Sequence, residues 1–109
     1  MERSGIPSPP TNRAVSWRVI VRPKAETDLS EAALWYDSQR PRLGGQFLDE
    51  MGRSLAFLAT SPERRPVYYR GFRRMLTRRF PYKIFYMIDG SDIIIVRVIH
   101  AKRDHRLHL

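Results

Sequence analysis

Between Arg73 and Arg103 the sequence RRMLTRRFPYKIFYMIDGSDIIIVRVIHAKR carries eight cationic side chains: Arg73, Arg74, Arg78, Arg79, Lys83, Arg97, Lys102 and Arg103. His100 lies inside this run, and His105 and His108 follow it. A guanidinium is a planar fork that meets phosphate or carboxylate through paired hydrogen bonds, so arginine-rich stretches suit recognition of anions. Fixed cations can also steady charge that develops on a reacting phosphate, and a histidine can move the proton. Three histidines raise the question of zinc. With no cysteine and no ordered carboxylate pair beside them, no metal site is expected, and no cofactor motif is present. His100 ends an apolar run and reads more readily as a core-edge histidine than as a catalyst. If residues 73–79 are extended, Arg74 and Arg78 share one face while Arg73 and Arg79 share the other, so all four cannot line one site. At least one pair is then expected to face solvent or to hold helix acids such as Glu50.

The charge is uneven along the chain. The net charge is +9 over 109 residues. Residues 1–62 hold eight Lys/Arg against seven Asp/Glu, whereas residues 63–109 hold twelve against four. A field concentrated in one half favours an anionic partner, such as nucleic acid, a machine that handles nucleic acid, or an acidic protein segment. A length of 109 residues gives one domain with a single modest core, and 42% apolar residues is enough to build it without staples. The lack of cysteine excludes disulfides and thiolate metal sites. No apolar run approaches the roughly 18 residues of a membrane span, and the first twenty residues lack the apolar core of a signal peptide. A cytoplasmic protein with no membrane association is expected.

The basic residues need elements to position them. Lys83–Ile88 and Ile93–Ile99 are β-branched and aromatic, and Asp89-Gly90-Ser91-Asp92 between them supplies a tight turn, so the two form a hairpin. The second arm is apolar at nearly every position, which predicts a central strand covered on both faces. Arg73–Arg79 reads as a preceding strand, and residues 66–72 as a loop or strand edge in which Gly71 makes a turn. Upstream, Trp17–Arg22 alternates as a first strand that Pro23 ends. Ala25, Leu29, Ala32 and Tyr36 then recur at helical spacing over Pro23–Gln39, with Glu26, Asp28 and Glu31 early, where the macrodipole favours acids. After the break at Arg40-Pro41-Arg42, Leu43, Phe47, Met51, Leu55 and Leu58 mark a second helix over residues 43–60. Gly44-Gly45 allows its start to slip to Gln46. Trp35, Tyr36, Phe85 and Tyr86 follow these apolar stripes and are expected in the core rather than as a platform for stacking bases. Met1–Ser16, with Pro7, Pro9 and Pro10, is predicted to be a disordered tail, leaving residues 17–109 as the single domain. The result is an α+β fold: an N-terminal strand, an antiparallel two-helix hairpin, and a three-stranded antiparallel segment that completes one curved sheet.

This order, with Ala25-Glu26-Thr27-Asp28-Leu29, Trp35-Tyr36, Phe47-Leu48-Asp49-Glu50, Ser61-Pro62, Arg79-Phe80-Pro81-Tyr82, Phe85-Tyr86 and His100-Ala101-Lys102-Arg103-Asp104, resembles the RelE/ParE superfamily of bacterial type II toxins. The resemblance spans about residues 17–106. It implies a toxin held inactive, in a hetero-oligomer, by a cognate antitoxin whose C-terminal segment wraps it. An acidic, amphipathic segment would suit the basic half and an apolar groove of the helical hairpin.

The superfamily contains two activities, poisoning of DNA gyrase by ParE-like members and cleavage of mRNA on the ribosome by RelE-like members. On the RelE-type pattern Arg74, Lys83 and Arg103 fall at basic active-site positions, while Leu76 and Leu109 stand where a second strand lysine and a C-terminal tyrosine belong. His108 is the candidate substitute for the missing acid–base group. The expectation is a ParE-like toxin acting by protein binding. Arg74, Arg78, Lys83, Arg97, His100, Lys102 and Arg103 are the candidate residues for target or antitoxin. A metal-independent endoribonuclease and a plain basic nucleic-acid-binding module are the alternatives.

Overall fold

In the computed structural model the described residues are 17–103, so the expected tail at 1–16 and both His105 and His108 lie outside them. The elements follow the predicted order: β1 (Arg18–Val21), α1 (Pro23–Gln39), α2 (Leu43–Leu58), a 3-10 turn (Pro62–Arg64), β2 (Arg73–Leu76), β3 (Tyr82–Asp89) and β4 (Asp92–His100). The four strands form one open sheet in the order β1-β4-β3-β2. β4 runs parallel to β1 and antiparallel to β3, and β3 pairs antiparallel with β2. A parallel partner requires a crossover, which the helical hairpin supplies. The architecture is α+β, as the pattern of periods implied.

β4 is central, flanked by β1 and β3. Ile93, Ile95 and Val98 join the core with the helices, and Ile99 is buried on the other side of the strand, while Ile94 and Val96 are only partly covered. The step from 95 to 98 breaks simple alternation because of a bulge. Phe85 pairs with Arg97 but Tyr86 pairs with Ile95, so Val96 is the extra residue. Against this face pack Ala25, Phe47, Met51 and Leu58, all essentially inaccessible. Tyr36, Phe47, Phe80 and Tyr82 form an aromatic cluster with ring centroids 4.9 to 6.4 Å apart, and it joins both helices to the end of the sheet.

α2 begins at Leu43, without slipping to Gln46. The two helices approach so closely at Gly44 that a Cβ there would lie 2.2 Å from the carbonyl oxygen of Ala33. The Gly44 N–H is also capped by the Asp37 carboxylate at 2.8 Å. The glycine that weakens a helix in isolation is therefore what lets this hairpin close.

The basic strand is shorter than its sequence suggested. β2 stops at Leu76, because Thr77 closes a local loop: its N–H donates to the Tyr82 carbonyl at 2.9 Å, and its hydroxyl accepts from the Tyr82 N–H at 3.0 Å. Arg78 and Arg79 consequently lie beyond the strand, and the expected pairing of faces with Arg74 and Arg73 does not extend to them. Residues 66–72 form the foreseen turn. Arg70 and Gly71 take left-handed φ of 51° and 82°, and Tyr69 bridges to Phe72.

Candidate functional site

The site is built on β2, β3 and the turn after β4. In the β2–β3 ladder Arg74 stands opposite Phe85 and Leu76 opposite Lys83, which places these four side chains on the sheet face away from the helices. Arg74 lies over the Tyr68 ring, with its guanidinium carbon 3.8 Å from the ring centroid. Lys83 is 7% exposed, and its Nζ donates to the backbone carbonyl of Arg103 at 3.0 Å. That bond ties β3 to the chain just after β4, where Arg103 also donates its N–H to the His100 carbonyl at 2.9 Å. Leu76 between them is 60% exposed. The structure thus brings Arg74, Lys83 and the Arg103 backbone to one side of the sheet, around an apolar residue.

The other candidates separate from this group. Arg97 is held by Asp28 of α1 in an ion pair at 2.7 Å whose side chains are 13% and 11% exposed. The same carboxylate accepts the Val98 N–H at 2.9 Å. It occupies the edge of β4 beyond the last residue of β1, so Asp28 both docks the helix and continues the ladder. The Arg97 guanidinium is kept protonated above its ordinary range chiefly by this hydrogen bond, and its charge is balanced within the fold. His100 packs edge-on to Tyr82, with ring centroids 5.3 Å apart, and its Nδ1 accepts the Lys102 N–H at 3.2 Å. It lines a small cavity of about 170 Å³ with Glu31, Asp28, Tyr82 and Arg103. The Tyr82 phenol is pushed well above its ordinary value, first by burial and then by its bond to Tyr36. It is a structural hydroxyl, not a group that exchanges protons near neutrality.

The arginine pairs divide as follows. Arg73 donates to the backbone carbonyls of Glu63 and Arg65, pinning the 3-10 turn against the sheet. Arg79 bonds Gln46 of α2 and covers Phe80 at 4.9 Å. Both are structural, but neither holds Glu50, which pairs instead with Arg53 at 3.0 Å. Arg78 lies on the surface at the mouth of a groove between α2 and the outer edge of β2.

Sequence reasoning missed that groove. It is lined by Arg53, Phe57, Arg65, Leu76 and Arg78 among others, and Phe57 is 61% exposed. The available signal was negative: Phe57 falls off the stripe of Leu43, Phe47, Met51, Leu55 and Leu58, so an aromatic ring was due on the solvent side of α2. Of the four aromatics assigned to the core, Tyr86 and Phe85 are fully buried and Tyr36 packs on it, but Trp35 is 58% exposed.

The sequence profile of the family described as ParE toxin of type II toxin–antitoxin system, parDE, matches residues 19–105. No curated protein matches in sequence. Among solved structures, a chain of the chromosomal ParDE toxin–antitoxin system from P. aeruginosa superposes with a TM-score of 0.73 at 18% identity, over 82% of this chain and 100% of that one. A chain of the intact E. coli RelBE toxin–antitoxin complex gives 0.57 at 16% identity, over 80% of this chain and 99% of that one. At such identities these two likenesses are likenesses of fold.

Proposed function

This chain belongs to the ParE toxin family of type II toxin–antitoxin systems, and we propose that it is a cytoplasmic toxin that inhibits DNA gyrase by binding it. In this reading a cognate antitoxin holds it inactive through an acidic, amphipathic C-terminal segment. The observation that carries the reading is Leu76. Cleavage of a ribose–phosphate chain needs converging cations and a proton-transfer group around the scissile phosphate. Here an apolar, 60% exposed side chain stands directly across from Lys83 at the centre of the candidate site. An exposed leucine beside Arg74 on this face suits a protein surface better than a phosphate. Tyr82, the buried phenol nearest His100, is held too high to titrate near neutrality. The ParDE superposition, higher than the RelBE one, accords with the same choice.

RelE-like, ribosome-dependent cleavage is the second reading, supported by Arg74 and Lys83 sharing one sheet face with Lys83 bonded to Arg103. The two readings separate in vitro. Purified protein is expected to inhibit supercoiling by gyrase and to leave message intact on programmed ribosomes. Arg74→Ala and Arg103→Ala should weaken gyrase inhibition gradually and in a salt-dependent manner, and His108→Ala should be nearly silent. Message cleavage that falls about 10² to 10³-fold with Arg74→Ala, in a protein that leaves gyrase untouched, would establish the second reading instead.

A further inference from the structure

We infer that the groove between α2 and the outer edge of β2 binds single-stranded nucleic acid, taking the phosphate chain on its arginines and a base on the exposed Phe57 ring. This goes beyond the toxin reading and does not depend on gyrase.

The groove holds cations, one exposed aromatic ring and a contact that joins the two. The first is charge: Arg53, Arg65 and Arg78 line it against one carboxylate, Glu50, which Arg53 already pairs at 3.0 Å. The second is flat apolar surface. On the α2 wall the Phe57 ring is 61% exposed, a cost in water that a stacked base would remove. The third is the way the two are combined. The Arg65 guanidinium lies 6.0 Å from the centre of the Phe57 ring. Within the groove it is the Arg65–Phe57 contact that sets a planar cation beside an exposed ring, the pairing in which a cation takes phosphate while the ring accepts a base.

Arg65 is also anchored from behind. The Arg73 side chain bonds the Arg65 and Glu63 carbonyls, so the backbone under this stack is held to β2 and does not need ordering on binding. The groove cations Arg53, Arg65 and Arg78 are apart from the group of Arg74, Lys83 and Arg103 on the sheet face. A purely acidic polypeptide would also find positive charge here but carries no planar group to lay on the Phe57 ring, and that ring favours a strand with bases.

The test uses the full chain with fluorescein-labelled dT12, rU12 and a polyglutamate peptide of similar charge, read by anisotropy over a range of salt concentrations. One or both oligonucleotides should bind at least tenfold more tightly than polyglutamate, and which of the two is preferred identifies DNA or RNA as the ligand. Phe57→Ala should weaken binding about ten- to hundredfold with the salt slope unchanged, as expected for loss of one base stack. Arg78→Ala should instead flatten the log–log salt slope by about 0.7, the effect of one phosphate contact on a single strand. Both residues are exposed, so circular dichroism and the melting temperature should stay at wild-type values. The inference is overturned if polyglutamate binds as tightly as the oligonucleotides, which would make this a peptide groove. It is equally overturned if Phe57→Ala leaves the affinity unchanged, or if no oligonucleotide binds at low salt.

Discussion

At the residue scale, the clearest separation is between cations that hold the fold and cations that face a partner. Arg97 and Arg74 lie on the same sheet and look alike in sequence, yet Arg97 is enclosed by Asp28 while Arg74 lies over an exposed tyrosine. Breaking the enclosed pair should therefore be costly. Asp28→Asn leaves a nearly buried guanidinium without its carboxylate and is expected to destabilise the protein by about 3 kcal/mol, whereas Arg74→Ala should cost under about 1 kcal/mol. Urea denaturation of the two variants distinguishes them, and equal midpoints would show that Arg97 is not paired in solution. A second residue-scale expectation concerns alkali. Tyr82 and Tyr86 are both raised above the ordinary 10.0, principally by burial, and Tyr86 donates its hydroxyl to the Pro62 carbonyl at 2.7 Å. A phenol whose folded value is raised binds its proton more tightly in the native state. Its contribution is thus complete below about pH 10 and is lost as pH rises from there toward the folded value. Melting temperature should fall between pH 10 and 11.5 more steeply for the wild type than for Tyr82→Phe. Parallel pH profiles would contradict the burial of that hydroxyl.

At the element scale, periodicity carried nearly all of the fold. Apolar residues at three- and four-residue steps gave both helices, and the run Ile93–Ile99, apolar except at Arg97, placed β4 mid-sheet before any pairing was known. What local pattern could not reveal were contacts between distant residues. The end of β2 depends on Thr77 reaching Tyr82, the docking of α1 on Asp28 reaching Val98, and the start of α2 on Gly44 meeting Ala33. The candidate site is legible to the same limited extent. Arg74 and Lys83 fall on one face because alternation puts them there, but nothing in the sequence shows that Arg97 is enclosed or that Phe57 lines a groove. The glycine pair in α2 gives a direct test of the long-range component. Gly44→Ala must push the helices apart and should cost about 2 kcal/mol, while Gly45→Ala, with nothing within 4 Å of its added methyl, should stabilise by up to about 1 kcal/mol. Thermal melts that moved in the same direction for both would mean that the hairpin is not closed as described.

At the scale of the whole molecule, the charge and the apolar surface are arranged together. The hairpin side exposes Leu34, Trp35 and Leu48, and the β2 edge exposes Leu76, Val67 and Tyr68 within a strongly basic half. A partner matched to this chain must cover apolar surface and neutralise arginine at once, which is the composition of an acidic amphipathic segment that orders on binding. The two contributions respond differently to salt. Screening removes most of the attraction between exposed charges, since the Debye length shrinks from about 10 Å at 0.1 M to about 3 Å at 1 M, but burial of leucine and tryptophan is left intact. Antitoxin affinity measured by calorimetry should accordingly weaken on going from 0.1 to 1 M sodium chloride and then level off, with a negative heat-capacity change at both concentrations. Leu34→Glu combined with Trp35→Glu should lower the residual high-salt affinity most, whereas Arg78→Ala should alter only the salt-sensitive part. Binding that vanished at 1 M salt, or was indifferent to the two glutamates, would mean that the antitoxin reads charge alone and leaves the exposed face of α1 to another partner.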